Sequence, residues 1–310
     1  MFLYDEKEQQ LKGIVLNIEH FHINDGIGIR TNVFLKGCNL WCPWCCNPES
    51  QEKKPQMVIH PKLCQQCGRC EKACPHNAIS ANEDGTRRID LSKCKLCGTC
   101  LSQCLASAIE LYGKEMSVAE IMAEVEKDNA YYLQSGGGMT LSGGEPCLQP
   151  EFSQALVEAC KKRYINIAVE TAAAVPWNIL WRVVENADEL LVDVKFTNQE
   201  QFNMLSGEKP DLVKENIKKL REKGKYVKMR CPIIPTLNDN EDHINQLIGW
   251  AKELDISDID ILPFHQLGKH KYLALGYPYL LGNLKEMDKK AAGKIKDKIA
   301  EHGFNVIIGG

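Results

Sequence analysis

Three cysteines on one short stretch, Cys38, Cys42 and Cys45, have the residue type and the spacing to hold an iron–sulfur cluster. Thiolates are the ligands that such clusters take. Three cysteines fill three corners of a cubane, so the fourth iron is left for a ligand that is not protein. The alternative is a zinc site with Cys46 or a distant histidine as fourth ligand. Because Cys46 directly follows Cys45 and would have to turn back sharply onto the same metal, the spacing favours the cluster. Trp44, between the last two ligands, is expected either to shield the cluster or to pack the loop.

Two further cysteine runs have the spacing of bacterial two-cluster ferredoxins, Cys-x2-Cys-x2-Cys-x3-Cys, once in each run. In that arrangement the fourth cysteine of each run ligates the other cluster. Two zinc ribbons built on the Cys-x2-Cys pairs are the alternative, but the near-equal repeat and the proline after the first run favour clusters. The predicted ligand sets are Cys64, Cys67, Cys70 and Cys104 for one [4Fe–4S] cluster, and Cys94, Cys97, Cys100 and Cys74 for the second.

Composition limits the class of protein. The chain has 310 residues, 44% of them hydrophobic, which suffices for one large domain and a small one. A net charge of −3 indicates neither a nucleic acid nor a membrane surface as partner. No apolar run is long enough to span a bilayer, and the acidic start is unlike a signal peptide, so we expect a cytoplasmic protein. In that reducing compartment the 15 cysteines are expected to be metal ligands rather than disulfides. Those outside the three motifs are expected to be buried small residues, namely Cys46, Cys147, Cys160 and Cys231.

Hydrophobic periodicity predicts alternating strands and helices outside the ferredoxin-like runs. Strands are predicted over residues 13–18, 30–35, 165–171, 190–195, 226–234, 259–263 and 304–308, and a turn, short strand and loop over 136–146. Helices are predicted from a capping box at Ser117 through Tyr132, over 150–162, from Pro176, and over 210–221, 241–254 and 284–299. Such alternation implies parallel strands joined by crossover helices. The predicted fold is α/β: residues 1–53 and 113–310 form a full or partial (β/α) barrel, and residues 54–112 are an inserted ferredoxin-like domain held together by its clusters.

Polar side chains stand at or just past the ends of several predicted strands. In barrel-like parallel sheets such positions face the active site. Each residue alone is more commonly solvated or ion-paired than catalytic, but together they indicate one end of the sheet as a site. The candidates are Glu170, Thr171, Asp193, Lys195, Arg230 and His265.

The cysteine loop resembles that of radical S-adenosylmethionine (SAM) enzymes, in which the open iron chelates the amino and carboxylate groups of SAM. Residues 22–30 are similar to the Asp-Gly-Pro-Gly-Ile-Arg signature of glycyl-radical enzyme activases, with Ile27 in place of the proline. The resemblance implies that Asp25 helps to receive the glycine loop of a partner enzyme. Residues 45–50 continue the likeness to the same subfamily.

Later stretches carry the same resemblance. Gly144 and Glu145 match an element that contacts the amino group of SAM, and residues 193–195 are similar to an Asp-Leu-Lys SAM-binding triplet. Residues 262–272 resemble a Leu-Pro-Tyr-His-x-Leu-Gly-x-x-Lys-Tyr stretch whose histidine lies near the adenosyl group. The family's monovalent-cation site would be supplied by Glu170 and Asp193. The implied SAM-binding residues are Trp44, Cys45, Cys46, Gly144, Glu145, Asp193, Val194, Lys195, Arg230 and His265.

The resemblance implies a glycyl-radical enzyme activase. A [4Fe–4S] cluster on Cys38, Cys42 and Cys45, the catalytic cysteines, would receive an electron from an external flavodoxin or ferredoxin, directly or through the two ferredoxin-like clusters. Bound SAM would then be cleaved to a 5′-deoxyadenosyl radical, which takes a hydrogen from a glycine α-carbon of the partner, a lyase or dehydratase. The alternatives are a radical SAM maturase acting on another peptide or small molecule, and a polyferredoxin that only carries electrons.

Overall fold

A nine-stranded sheet forms the body of the protein. The computed structural model describes residues 4–204 and 210–309, so the first three residues of the acidic start lie outside it. The described residues contain thirteen strands, of which nine form this sheet and four form two small two-stranded sheets. The strands are β1 (Lys12–His22), β2 (Arg30–Leu35), β3 (Gln56–Ile59), β4 (Ile79–Ala81), β5 (Arg87–Ile89), β6 (Ile109–Tyr112), β7 (Lys114–Ser117), β8 (Gly138–Gly143), β9 (Asn166–Thr171), β10 (Glu189–Asp193), β11 (Val227–Ile233), β12 (Asp258–Pro263) and β13 (Asn305–Ile308).

The described residues contain twelve α-helices, several of which cross over between the parallel strands. They are α1 (Glu6–Gln10), α2 (Arg69–Ala73), α3 (Thr99–Gln103), α4 (Val118–Val125), α5 (Asn129–Ser135), α6 (Pro150–Lys162), α7 (Trp177–Val184), α8 (Gln199–Phe202), α9 (Pro210–Glu222), α10 (Glu241–Glu253), α11 (Lys269–Leu275) and α12 (Lys289–Ala300).

The sheet is mostly parallel and open. Its order is β13-β12-β11-β10-β9-β8-β2-β1-β7, in which β2 and β8 to β13 run parallel while β1 and β7 pair antiparallel. Within the described residues the two edge strands β7 and β13 are not paired with each other, so the barrel is not closed. The inner parallel strands are buried on both faces, and β10 accordingly contains an unbroken apolar run at Leu190, Leu191 and Val192.

The residues between β3 and β6 have a small core of their own. β3 and β6 pair antiparallel, α2 and α3 lie within the two cysteine runs, and β4 and β5 form a hairpin. The buried cluster contains two of the cysteines and four aliphatic or methionine side chains: Met57, Ile59, Cys70, Ile79, Cys100 and Ile109. The helices are only five residues long, so this part of the chain has little regular structure of its own to stabilise it.

Several boundaries differ from those predicted by periodicity. The helix predicted from Ser117 through Tyr132 is interrupted by a 3-10 turn at Glu126–Asp128. Pro176 precedes its helix as the N-cap, and the last helix begins at Lys289 because the Asp288 side chain caps it by accepting from the Ala291 N–H. Strand β7 and helix α11 were not predicted; β7 is a short, polar edge strand without apolar alternation.

Of the cysteines outside the motifs, three are buried in the main core as predicted, namely Cys147, Cys160 and Cys231. Cys46 is not: it is exposed toward a cavity described below, so the prediction of a buried core residue is wrong there. It follows Cys45 on the cysteine loop, and its side chain is among those that line the cavity.

Arg30, the first residue of β2, joins three separate parts of the sheet. Its fully buried guanidinium donates from Nε to Thr140 Oγ1 at 3.0 Å and from Nη1 to Asn166 Oδ1 at 2.7 Å. Nη1 also donates to the Ile27 carbonyl at 3.3 Å, and Nη2 donates to the Met139 carbonyl. The side chain therefore holds the loop that contains Asp25 against β8 and β9.

We predict that Arg30→Lys lowers the free energy of unfolding by about 3 kcal/mol. Lysine keeps the charge but lacks the planar fork, so buried acceptors lose their donors. Arg182→Lys is the matched control, since that side chain is 41% exposed and should change stability by about 0.5 kcal/mol or less. Anaerobic denaturant unfolding followed by circular dichroism measures both. Equal effects of the two substitutions would contradict the role assigned to Arg30.

Candidate active site

The cysteine loop follows β2 and is closed by the chain that returns after it. The Gly37 N–H donates to the Ser50 carbonyl at 2.6 Å, and the Cys38 N–H donates to the Gln51 carbonyl at 3.0 Å. Within the loop, the Cys45 N–H donates to the Cys42 carbonyl at 3.0 Å. These bonds hold the three thiols along one side of a cavity at the carboxyl end of the sheet.

The thiols of this loop are held in their neutral form by burial. Burial raises the pKa of Cys38 to about 12 and also raises the pKa of Cys42 and of Cys45. A thiolate at these positions therefore needs a positive charge beside it, which iron would supply on binding. The donor set fits a thiolate-bound cluster.

The cavity has a volume of about 300 Å³ and reaches across the sheet from β2 to β12. Because one cavity touches residues of so many neighbouring strands, the sheet must curve around it. Most of the residues predicted from the sequence line it: Asp25, Cys38, Cys42, Trp44, Cys45, Cys46, Gly144, Glu170, Thr171, Asp193, Lys195, Arg230 and His265.

Two predicted SAM-binding residues, Glu145 and Val194, lie outside the lining. The Glu145 carboxylate is 1% exposed and accepts from Thr171 Oγ1 at 2.8 Å and from the Ala172 N–H at 3.0 Å. Burial raises its pKa. Val194 is packed in the core, and its N–H donates to the Arg230 carbonyl at 2.8 Å. Both side chains therefore support the lining from behind rather than face the cavity.

Arg230 links two carboxylates at the cavity. Its Nη1 lies 2.9 Å from Asp25 Oδ1 and 2.7 Å from Glu170 Oε1. Arg230 lies in the middle of β11 and not at the predicted strand end, so only its long side chain reaches these groups. Asp25 Oδ2 also accepts from Asn32 Nδ2 at 2.7 Å, and His22 Nδ1 lies 3.1 Å from it. The loop before β2 is thereby fixed to the far side of the sheet.

Glu170 has an unusual acidity for a carboxyl group with an arginine partner. Burial raises its pKa to about 7, although the Arg230 guanidinium acts in the opposite direction. The Ser142 hydroxyl donates to Oε2 of Glu170. Ser142 was not predicted, although its position near the end of β8 is the kind of signal that identified the other strand-end residues.

Asp193 and Lys195 form a second ion pair at the cavity, with Lys195 Nζ 2.9 Å from Asp193 Oδ2 and both side chains largely shielded from water. Burial opposes the charge of Lys195, but the Asp193 carboxylate beside it raises its pKa above the ordinary value. Two buried polar atoms, Asp193 Oδ1 and Arg230 Nε, have no hydrogen-bond partner among the described residues. Unpaired atoms at a cavity of this size fit a polar ligand such as SAM.

Further contacts that sequence patterns did not predict fix the cysteine loop. Lys271 Nζ, from α11, donates to Asn47 Oδ1 at 2.8 Å and to Glu49. Asn39 Nδ2 donates to the Ala174 carbonyl at 2.7 Å, beyond the end of β9. The Trp44 ring meets Phe196 edge-on with 5.3 Å between ring centroids. The loop is therefore held from both of its sides.

The eight cysteines of the two ferredoxin-like runs line two small cavities in the segment from β3 to β6. One cavity is lined by Cys64, Cys67, Cys70 and Cys104, and the other by Cys74, Cys94, Cys97 and Cys100. These are the two predicted sets, each with one cysteine from the opposite run. Among the described residues, no three histidine, cysteine, aspartate or glutamate side chains come close enough together to share a single metal ion.

Comparison with known proteins identifies the family. Residues 32–248 match the Radical SAM superfamily. The chain belongs to this superfamily. Radical SAM proteins bind a [4Fe–4S] cluster and SAM, and residues that fit both groups line the cavity described above. A domain of a pyruvate-formate lyase-activating enzyme from Bacteroides vulgatus is a solved structure similar to this radical SAM protein, with 23% identity, a TM-score of 0.47, and coverage of 56% of this chain and 99% of that one.

Curated relatives narrow the branch of the superfamily. The isethionate sulfite-lyase activating enzyme of Desulfovibrio desulfuricans is 39% identical over 90% of this chain and 91% of its own length. The indoleacetate decarboxylase activating enzyme of Tractidigestivibacter scatoligenes is 35% identical over 97% of this chain and 99% of its own length. This radical SAM protein therefore belongs among the glycyl-radical enzyme activating enzymes. None of the described helices is long and apolar enough to cross a membrane.

Gly144 offers a test of how closely the loops pack. A Cβ added at Gly144 would lie 2.1 Å from the Gly37 carbonyl oxygen and 2.9 Å from that of Ser50, so Gly144→Ala must displace the cysteine loop. We predict that anaerobically reconstituted Gly144→Ala loses about four irons per chain while its circular dichroism is unchanged. Gly249→Ala, whose Cβ would meet nothing within 4 Å, should keep its full iron content. Full iron in Gly144→Ala would contradict this packing.

Proposed function

We propose that this radical SAM protein activates a glycyl-radical enzyme by reductive cleavage of SAM and removal of a hydrogen atom from a glycine α-carbon of that partner. The observation that carries the proposal is the cavity itself. It combines three thiols on one loop, a buried carboxylate oxygen that has no hydrogen-bond partner among the described residues, and the pair formed by Asp25 and Arg230. A polyferredoxin would need neither the unpaired carboxylate oxygen nor the pair formed by Asp25 and Arg230.

Cys38, Cys42 and Cys45 would hold a [4Fe–4S] cluster. When bound, the cluster and SAM supply the electron transfer and the bond cleavage that generate the radical. The chain has to orient the ligand and exclude water and stray hydrogen donors. Apolar side chains that line the same cavity are suited to excluding water, and they are Phe34, Leu40, Ile234, Leu262 and Phe264.

The SAM-binding residues would be those of the lining. Asp193 Oδ1 accepts no hydrogen bond from the described residues, so it can accept one from a ligand. Lys195 Nζ lies 2.9 Å from the other carboxylate oxygen, which keeps the carboxylate in one orientation. Gly144, Trp44, Cys46 and His265 face the same space. Glu145 and Val194 would act indirectly, by fixing the backbone next to these residues.

A monovalent cation between Glu170 and Asp193 stays a prediction. Glu170 already has the Arg230 guanidinium 2.7 Å away, so a positive charge is present at that end of the pair. A cation there would have to share the Glu170 carboxylate with Arg230.

The partner would present its glycine loop to the cavity near Asp25. We propose a lyase, dehydratase or decarboxylase as this partner, since relatives are named for a sulfite-lyase and a decarboxylase. The electron would come from an external flavodoxin or ferredoxin, and neither nucleic acid nor a membrane would be a partner. Residues 54–112 would form an inserted domain with two [4Fe–4S] clusters, in the ligand sets that line its two cavities.

Cys42→Ala tests the central assignment. We predict that the dithionite-reduced variant cleaves SAM no faster than the protein-free background, because the cluster loses one of its three ligands. Cys160→Ala removes a cysteine that is buried in the main core away from the cavity, and it should retain cleavage. The assay is the anaerobic release of 5′-deoxyadenosine. Full cleavage by Cys42→Ala would sink the proposal.

Iron content tests the number of clusters. We predict about twelve irons per chain in the reconstituted protein and about eight in the variant in which Cys38, Cys42 and Cys45 are all replaced by alanine. A wild-type value near four would show that residues 54–112 hold no clusters. Zinc in place of iron at the eight cysteines of the two ferredoxin-like runs would count equally against the assignment.

A further inference from the structure

The two cysteine cavities of the inserted segment differ in the charge placed beside them. Arg87 lines the cavity of Cys64, Cys67, Cys70 and Cys104. Its side chain is only 12% exposed, and its Nη1 donates to the Gly85 carbonyl at 2.6 Å. The guanidinium is therefore a fixed cation that is partly shielded from water.

The turn between Cys67 and Cys70 lies directly against Arg87. Gly68, in the left-handed region at a φ of 71°, would bring an added Cβ to 3.1 Å from Arg87 Nη2. The equivalent Gly98 has Leu101 Cδ1 as its nearest neighbour, at 3.9 Å. The basic side chains that line the second cavity, those of Lys95 and His76, are on exposed residues. Among the described residues, a cation shielded from water therefore lies beside the cavity of Cys64, Cys67, Cys70 and Cys104 but not beside the second cavity.

The second cavity has a different group next to its cysteines. Thr99 Oγ1 lies 3.4 Å from Cys97 Sγ, within hydrogen-bond distance for sulfur. The first run has Arg69 at the equivalent position, and its side chain is exposed. A hydroxyl can donate to a cysteine thiolate there, whereas the first run offers no such hydroxyl.

We propose, on the basis of the cluster assignment under Proposed function, that Arg87 raises the reduction potential of the cluster held by Cys64, Cys67, Cys70 and Cys104, and that Thr99 raises that of the other. Reduction adds one electron to a cluster and changes its core charge from 2+ to 1+, without making or breaking a bond. A fixed cation or a donated hydrogen bond stabilises the added negative charge. The two sites of the repeat therefore have separately tuned potentials.

Glu71 is the charge that opposes Arg87, with its Oε2 3.1 Å from Arg87 Nε. The Glu71 side chain is 41% exposed and does not line the cavity, so water screens it more strongly than it screens the guanidinium. The net effect at the cavity is positive. Removing the Glu71 charge should therefore raise the reduction potential of the cluster beside Arg87, whereas removing the Arg87 charge should lower it.

The test is a potentiometric titration of the reconstituted full-length protein, with dithionite as reductant and redox mediators, followed by electron paramagnetic resonance. The SAM-binding cluster is recognised by the change of its signal on addition of SAM. We expect Arg87→Gln to lower the midpoint potential of one auxiliary cluster and Thr99→Val to lower that of the other. Arg88→Gln is the matched control, because Arg88 is exposed, donates to Ser80 Oγ at 3.1 Å and lines neither cysteine cavity.

The inference is overturned if Arg87→Gln moves neither auxiliary potential, or moves both by the same amount as Arg88→Gln. Should Arg87→Gln fail to fold, Glu71→Gln decides, since an unchanged or lowered potential would contradict the role of the guanidinium. Iron is counted before each titration. Eight auxiliary irons with unmoved potentials refute only the tuning, whereas absence of those irons refutes the cluster assignment itself.

Discussion

Charged groups at the cavity are largely shielded from water, with 8% to 19% of each side chain exposed, so each of them needs an opposite charge beside it. Arg230 meets this constraint with Asp25 and Glu170, and Lys195 meets it with Asp193. A buried charge left alone costs several kcal/mol, so these pairs are held together strongly even where their net contribution to stability is small. The pairs join the loop before β2, the middle of β11 and the ends of β9 and β10 into one charged lining. The incoming ligand meets a lining whose orientation is already set.

The same constraint explains why the cysteine loop has so many backbone and side-chain supports. Its thiols are buried enough to stay neutral, so a cluster must bring its own positive charge to them. Metal binding and thiol ionisation are then one event. A loop that moved freely would lose conformational entropy at that moment. The bonds from Ser50, Gln51 and Glu145 to the residues around Gly37 restrict that movement beforehand.

Local features could be predicted from the sequence because their information is local. The cysteine spacings, the strand at Arg30–Leu35 and the helix at Pro150–Lys162 each lie in one short segment, and the structure has those elements at the predicted bounds. The pairing of Asp25 with Arg230 joins residues 205 positions apart, which no periodicity encodes. The burial of Glu145 behind the lining depends on Thr171 and Ala172, which come from another strand. Both outcomes depend on tertiary packing, so a motif match could name these residues but not their orientation.

The segment from β3 to β6 and the cysteine loop meet at one buried lysine. Lys36, at the end of β2, is fully buried, and its ammonium donates to the Glu49 carbonyl and to Gln56 Oε1 at 3.0 Å. Burial lowers its pKa to about 8. Gln56 Nε2 in turn donates to Tyr277 OH at 3.2 Å. Because Glu49 follows the cysteines and Gln56 begins β3, a shift of the segment from β3 to β6 must also strain the contacts of Lys36. The segment therefore has a defined position relative to the cysteine loop, which is a physical requirement for any electron path between them.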